Sequence, residues 1–134
     1  MTVNLRPTVC NICGGEVEYV ELTKVYGNYL KYGKKSGYCY HCTKCGATVG
    51  THEDRPLDAF GILADKKMCE LRQKAHSLFD KLWRNHEERT QMYQKLADAM
   101  QIPVEECHFS YFSVEELEKS LIFLKKWWFE KYDI

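Results

Sequence analysis

Two pairs of cysteines are the residues of this sequence best suited to chemistry. Two residues separate Cys10 from Cys13, two separate Cys42 from Cys45, and a glycine follows each pair. In such a turn backbone amides point at the sulfurs, and the glycine accepts the left-handed conformation in which the chain leaves the turn. Four thiolates can surround one Zn²⁺ ion tetrahedrally and leave no position for water. The sequence therefore predicts one structural zinc ion, bound by Cys10, Cys13, Cys42 and Cys45.

The second ligand pair has an alternative. Cys39 precedes Cys42 by three residues, so these two could form the pair and leave Cys45 free. We favour Cys45 because Gly46 follows it directly. A less favoured interpretation is that the two pairs are independent redox or incidental pairs.

The chain between the two pairs combines aromatic and basic residues. Residues 22–50 contain five lysines and no aspartate or glutamate. Tyrosine rings can stack on unpaired bases, and lysines can neutralise phosphates. Tyr38 and Tyr40 share the pattern, and the alternative is an arm whose tyrosines pack on the protein's own core. The residues predicted to contact nucleic acid or another partner are Lys24, Tyr26, Tyr29, Lys31, Tyr32, Lys34 and Lys35.

The histidines offer a further candidate site. His76 and Asp80 are four residues apart in a predicted helix, so they share a face. Together with His52 they could bind a second metal ion or act as a general acid and base. The more ordinary interpretation is a structural His–Asp pair at the edge of an apolar stripe.

The elements that position these residues change from strands to helices along the chain. Alternation over residues 16–26 predicts a strand, residues 38–41 a returning strand, and residues 47–49 a short third strand. A 3.6-residue period then predicts a helix over residues 65–84. The fold class is therefore α+β, a zinc ribbon with an extended β-hairpin followed by a three-helix region.

Two capping boxes mark the later helices. Asn85 with Glu88 predicts the start of a second helix, which stops near Pro103, and Ser113 with Glu116 predicts the start of a third. The aromatic run at residues 127–129 is expected to pack back on the core. We divide the chain into a ribbon at 1–52, a connector at 53–64 and a helical region at 65–134, and expect one compact unit.

Composition limits the class of protein. The chain has 134 residues, of which 45% are hydrophobic, and a formal net charge of zero, so the whole protein lacks the basic signature of a polyanion binder. No apolar run is long enough for a membrane span. Seven cysteines, four of them predicted to bind metal, favour a reducing cytoplasm.

The sequence resembles the zinc-finger-containing domain proteins, a family of unknown function found mainly in phages, prophages and other mobile elements. The resemblance covers about residues 10–112. The motifs that carry it are Cys10-x-x-Cys13-Gly14-Gly15, Tyr40-His41-Cys42-x-x-Cys45-Gly46-Ala47-x-Val49-Gly50-x-His52, Arg55-Pro56-Leu57, Gly61-x-Leu63-Ala64-Asp65, Leu71-Arg72-x-Lys74-Ala75-His76-x-x-Phe79-Asp80-x-Leu82-Trp83, Arg89-x-x-x-Tyr93-x-x-Leu96-Ala97 and Cys107-His108-Phe109. The resemblance implies zinc binding by the four cysteines and supplies no activity. It also implies a shared pattern, fold-defining or functional, for His52, His76, Asp80, Arg89 and His108.

We expect a small, non-enzymatic accessory protein that binds nucleic acid or a nucleoprotein complex. The first alternative is a protein-interaction module that inhibits a host defence enzyme. The second is a metal-dependent nuclease that uses His52, His76 and Asp80. The sequence specifies neither the partner nor an oligomeric state.

Overall fold

The computed structural model describes residues 3–27 and 37–132. The chain divides into two compact units, Thr2–Lys66 and Lys67–Ile134, which we call the ribbon unit and the helical unit. Each unit has its own cluster of buried apolar side chains.

The ribbon unit is built on a three-stranded antiparallel sheet in the order β1-β2-β3. The strands are β1 at Val17–Glu21, β2 at Tyr38–Cys42 and β3 at Thr48–Gly50. Tyr40, in the middle of β2, lies opposite Tyr19 on one side and Val49 on the other. Side chains two residues apart share a face of a strand, so Tyr40 and Cys42 point to the same side. Both are buried in the cluster of the ribbon unit, which comprises Cys10, Tyr40, Cys42, Ala47, Val49, Ala59 and Leu63.

The first strand is shorter than its alternating pattern predicts. It ends at Glu21, and Leu22–Tyr26 forms the short helix α1, so the prediction of a strand through residue 26 is wrong. The Leu22 amide donates to the Gly37 carbonyl at 2.9 Å, and the Leu22 side chain is buried. Gly27, at a φ of 61°, donates its amide to Thr23 O and ends the helix. This closed turn overrides the strand preference of the residue types in α1.

Residues 53–64 belong to the ribbon unit, although the sequence suggested a connector. Ala59 forms an isolated bridge with Thr51, and Ala64 forms one with Thr48. The side chains of Ala59 and Leu63 are fully buried. Backbone pairing and burial therefore hold this irregular segment against the sheet.

The helical unit contains three long helices. They are α2 at Lys66–Asp80, of which Lys66 falls in the ribbon unit, α3 at His86–Met100 and α4 at Val114–Tyr132. Two 3₁₀ turns, Val104–Glu106 and Phe109–Tyr111, connect α3 to α4. The prediction of three helices in this part of the chain is confirmed. The fully or nearly fully buried core comprises Ala75, Phe79, Leu82, Leu96, Ala97, Met100, Cys107, Phe109, Phe112, Leu117, Leu121 and Leu124.

Helix α2 ends four residues earlier than its apolar period predicts. Lys81 and Leu82 donate their amides to the carbonyls three residues before them, Leu78 and Phe79, at 3.2 and 3.0 Å. This tighter winding still buries the Leu82 side chain in the core. The apolar period therefore continues past the residue at which the helix stops.

Both predicted caps are present. Glu88 donates its amide to Asn85 Oδ1 at 2.9 Å. At the start of α4 the box is reciprocal, because Glu116 donates its amide to Ser113 Oγ at 3.3 Å and Ser113 donates its amide to Glu116 Oε1 at 3.0 Å. Side chains thus satisfy amides that each helix start leaves without a helical partner.

The terminal aromatic run continues α4 instead of folding back from it. Trp127 and Trp128 pack against the core from the helix, whereas Phe129 is 64% exposed, so the expectation for Phe129 is wrong. The helical repeat explains the difference, because Leu121, Leu124 and Trp128 share the buried side. No helix among the described residues has both the length and the apolar character of a membrane span.

We predict that Ser113→Ala lowers the free energy of unfolding of the helical unit by about 1 kcal/mol, the usual cost of removing an N-cap hydroxyl. The measurement is urea denaturation followed by circular dichroism. Ser77→Ala is the matched control, because Ser77 is an exposed residue inside α2. Equal destabilisation by the two changes would contradict the capping role.

Candidate metal centre

The two cysteine pairs occupy turns with the same backbone hydrogen bonds. In the first turn the Cys10 amide donates to Gly15 O at 2.9 Å, and the Gly14 amide donates to Cys10 O at 3.0 Å. In the second, the Cys42 amide donates to Ala47 O at 2.9 Å, and the Gly46 amide donates to Cys42 O at 3.1 Å. Gly14 and Gly46 have φ values of 75° and 81°. The left-handed glycines predicted from the sequence are therefore present in both turns.

Backbone amides point at the sulfurs in both turns. Ile12 donates to Cys10 Sγ at 3.4 Å, and Gly15 donates to Cys13 Sγ at 3.3 Å. In the second turn the amides of Lys44 and Cys45 both donate to Cys42 Sγ at 3.4 Å. Such donors favour the charged thiolate over the neutral thiol. The pKa of Cys42 is lowered to about 6, chiefly by the Cys45 amide. Burial opposes this shift, and the Lys44 amide adds to it.

The turns bring the four sulfurs of Cys10, Cys13, Cys42 and Cys45 within 4.8 Å of one another. The Cys10 and Cys45 sulfurs are 3.7 Å apart, and those of Cys13 and Cys42 are 3.4 Å apart. A tetrahedral zinc site with Zn–S bonds of about 2.3 Å places its sulfurs about 3.8 Å apart. The donor set and its spacing thus fit one zinc ion.

A family model described as a zinc-finger-containing domain matches residues 6–126. The chain belongs to this family. Comparisons with curated proteins and with solved structures find no match. The family and the four-sulfur cluster together assign one structural zinc ion to this zinc finger.

Cys39 lies outside the cluster. It is fully buried within β2, opposite Val20 and Gly50. Burial raises the pKa of Cys39 to about 11, so its sulfur remains a protonated thiol at neutral pH. The sequence favoured Cys45 over Cys39 as a ligand because Gly46 follows Cys45, and this placement agrees with that choice.

Two contacts around the zinc finger were not predicted from the sequence. Asn11 donates from Nδ2 to Leu63 O at 3.0 Å and accepts the Leu63 amide on Oδ1 at 2.9 Å. This pair of bonds joins the first turn to the segment at 53–64. Gly15 lies so close to the second turn that an added Cβ would be 2.8 Å from Lys44 Cβ and 3.1 Å from Cys42 Sγ. An Asn between two cysteines and a second glycine after them were the only signals in the sequence.

The residues predicted to contact a partner are only partly described. Lys24 is exposed, and its Nζ atom lies 3.6 Å from Glu18 Oε2. Residues 28–36, which include Tyr29, Lys31, Tyr32, Lys34 and Lys35, lie outside the described part of the chain, as does the side chain of Tyr26. Tyr40 is buried and donates to Leu57 O at 2.6 Å, whereas Tyr38 is 40% exposed.

The candidate second site is divided between the two units. His52 belongs to the ribbon unit, where its ring meets Phe60 at 4.6 Å. His76, Asp80, Arg89 and His108 all belong to the helical unit. Among the described residues the four cysteines form the only group of three or more potential metal ligands. A second metal site made of His52, His76 and Asp80 stays a prediction.

We predict that Cys45→Ala abolishes stoichiometric zinc binding, whereas Cys39→Ala retains one zinc ion per chain. The reason is that only Cys45 contributes a sulfur to the tetrahedral cluster. Elemental analysis of the purified variants measures the zinc content. Loss of zinc from Cys39→Ala with retention in Cys45→Ala would reverse the assigned ligand set.

A second prediction concerns the contact between the two turns. Gly15→Ala places a methyl group against Cys42 Sγ and should weaken zinc binding by about 10–100-fold, as changes next to metal ligands do. Competition with a chromophoric chelator measures the affinity. Gly50→Ala is the control, since the contacts of its added Cβ are with the Phe60 ring. An unchanged affinity in Gly15→Ala would show that the turns can separate without cost.

Proposed function

We propose that the zinc finger binds single-stranded nucleic acid through the sheet of the ribbon unit and the basic segment that joins β1 to β2. The observation that carries the proposal is a pair of parallel tyrosine rings. Tyr19 and Tyr38 stack with their centroids 5.0 Å apart and their planes 7° apart. The two residues are 37% and 40% exposed. Exposed flat rings are the surfaces on which unpaired bases stack.

Contacts with neighbouring residues fix the position of the tyrosine pair. Tyr19 donates its hydroxyl to Pro56 O at 2.7 Å. Its ring also meets Tyr40 at 5.1 Å, and Tyr40 is buried beside the zinc ligand Cys42 in the same cluster. A platform fixed before binding loses little conformational entropy when a base stacks on it.

Basic residues flank the platform in the chain. Lys24 lies in α1, directly after β1, and Lys31, Lys34 and Lys35 precede Tyr38 by three to seven residues in the sequence. Lysines near a stacking surface can neutralise the phosphates between successive bases. A role as an accessory protein of a phage or mobile element is part of the proposal and rests on the family resemblance of the sequence.

A protein partner is the second candidate, and a different surface favours it. Ile122 and Phe129 of α4 are 68% and 64% exposed, and they lie seven residues apart on one side of the helix. Exposed apolar side chains of this kind suit a protein interface. Inhibition of a host enzyme is one function that such an interface could serve.

We predict that zinc-loaded protein binds fluorescent single-stranded DNA or RNA, and that Tyr19→Leu with Tyr38→Leu weakens binding by about tenfold or more, since each stacked base contributes about 1–3 kcal/mol. Fluorescence anisotropy across a salt series measures the affinity. Tyr132→Leu is the control, because Tyr132 is an exposed tyrosine of the helical unit. Charge reversal of Lys31, Lys34 and Lys35 should reduce the salt dependence as well as the affinity.

Absence of binding at low salt by correctly folded, zinc-loaded protein would overturn the proposal. Loss of binding in Ile122→Ser with Phe129→Ser, but not in the tyrosine variants, would move the interface to α4. Zinc content and circular dichroism of each variant separate loss of contact from loss of fold.

A further inference from the structure

One side of α2 carries three polar residues that the zinc centre does not use. Arg72, His76 and Asp80 follow one another at intervals of four residues, so they line the same face of the helix. His76 and Asp80 are exposed, and Arg72 is half-buried. Spacing of this kind brings neighbouring side chains into interaction range.

The second 3₁₀ turn lies against this face. Arg72 donates from Nη2 to Ser110 O at 2.9 Å. The His76 ring meets the buried Phe109 ring edge-on at 4.8 Å. His108 directly precedes the turn, and its ring lies 6.5 Å from that of Tyr93 in α3. Residues 108–110 thus meet side chains from both α2 and α3.

Helix α3 adds a second guanidinium in a fixed orientation. Arg89 lies over the Tyr93 ring at 4.8 Å and over the Trp83 ring at 5.8 Å. Its Nη2 donates to the Tyr93 hydroxyl at 3.3 Å. Stacking on both rings restrains the planar group, which keeps its N–H fork ordered for a ligand.

The charges of these residues act on one imidazole. Partial burial of the ring lowers the pKa of His76 most, Asp80 raises it, and Arg89 and Arg72 lower it further. A lowered pKa favours the neutral imidazole, which has one N–H donor and one acceptor. Asp80 accepts the Trp83 indole N–H at 3.2 Å, which orients its carboxylate.

We propose that this surface, formed by Arg72, His76, Arg89, Tyr93 and His108, binds a phosphate group. Arg89 supplies a planar N–H fork, which can bind phosphate in a bidentate manner, and Arg72 adds a second positive charge. The imidazole and hydroxyl groups add donors that suit the remaining oxygens. A metal cation would be repelled by the two arginines. The site lies wholly in the helical unit and is independent of the proposed nucleic-acid surface on the sheet.

Asp80 sets the strength of the site. Its carboxylate is the negative charge that acts on His76, and it opposes an incoming anion. The two arginines and Asp80 together leave a net charge of +1, so binding of free phosphate should be weak. Asp80→Asn preserves an acceptor for Trp83 and removes the charge. This change should strengthen phosphate binding by about two- to fivefold, the range expected for one exposed ion pair.

The experiment follows the ring C–H signals of the five histidines by NMR while inorganic phosphate is added to the full-length, zinc-loaded protein at constant pH and ionic strength. We expect the signals of His76 and His108 to shift with one common dissociation constant. Those of His41, His52 and His86 serve as internal references and should not move with it. Absence of a shift at His76 and His108 up to tens of millimolar phosphate would overturn the proposal.

Variants of the arginines test the assignment further. Arg89→Gln should weaken phosphate binding by about tenfold or more, because it removes a charge-assisted donor pair. Arg84→Gln removes the same charge from an exposed position in the α2–α3 turn and should change the constant by less than about twofold. Equal effects of the two changes would reduce the site to general electrostatic attraction and refute it.

Arg89 also contacts two rings, so a variant there could unfold the unit. Arg89→Lys keeps the charge without the fork, and Asp80→Asn leaves both arginines in place. A failure of Asp80→Asn to strengthen binding, with the fold intact, would contradict the site regardless of the effect of Arg89→Gln.

Titrations with a nucleoside monophosphate and with 5′-phosphorylated and unphosphorylated oligonucleotides then identify the source of the phosphate. Tighter binding of one source than of inorganic phosphate names it, and a shared affinity assigns the site to the phosphate alone.

Discussion

The tetrahedral arrangement of four thiolates is the constraint on which the ribbon unit depends. It requires two turns that are 32 residues apart in sequence to meet, and their identical hydrogen bonds show how the backbone satisfies that requirement. The apolar cluster of this unit is small and includes two of the ligands, Cys10 and Cys42. Zinc binding, which in such sites contributes about 10–16 kcal/mol, therefore supplies much of the folding free energy that the small apolar core does not.

The metal constraint extends into the sheet and the irregular segment beyond it. Cys42 is the last residue of β2, so fixing its sulfur fixes the register that places Tyr19 opposite Tyr40. Asn11, inside the first turn, binds Leu63 through both its donor and its acceptor. The zinc ion thereby orients the tyrosines of the sheet and anchors residues 53–64 without contacting either.

Sequence patterns predicted the features that local chemistry determines. Spacing and glycines identified the metal turns, and the boxes at Asn85 and Ser113 located two helix starts. Patterns failed where distant contacts decide the structure, as at α1, where closure against Gly37 outweighs strand preference. The exposure of Tyr38 and the burial of Tyr40 could not be separated either, because both belong to one strand and share one face. Tyr40 donates its hydroxyl to Leu57 O, a contact with the irregular segment at 53–64 that no sequence period predicts.

Both surfaces proposed for binding obtain their order from contacts within the protein that exist before a ligand binds. In the ribbon unit Tyr19 is restrained by the Pro56 carbonyl and the Tyr40 ring. In the helical unit Arg89 is restrained by Tyr93 and Trp83. Restraint before binding reduces the entropy lost on binding, so a small surface can be selective without burying a large area. Each unit therefore restrains a planar group through its own contacts, and the chemistry of that group, aromatic in one unit and cationic in the other, determines which part of a ligand it can bind.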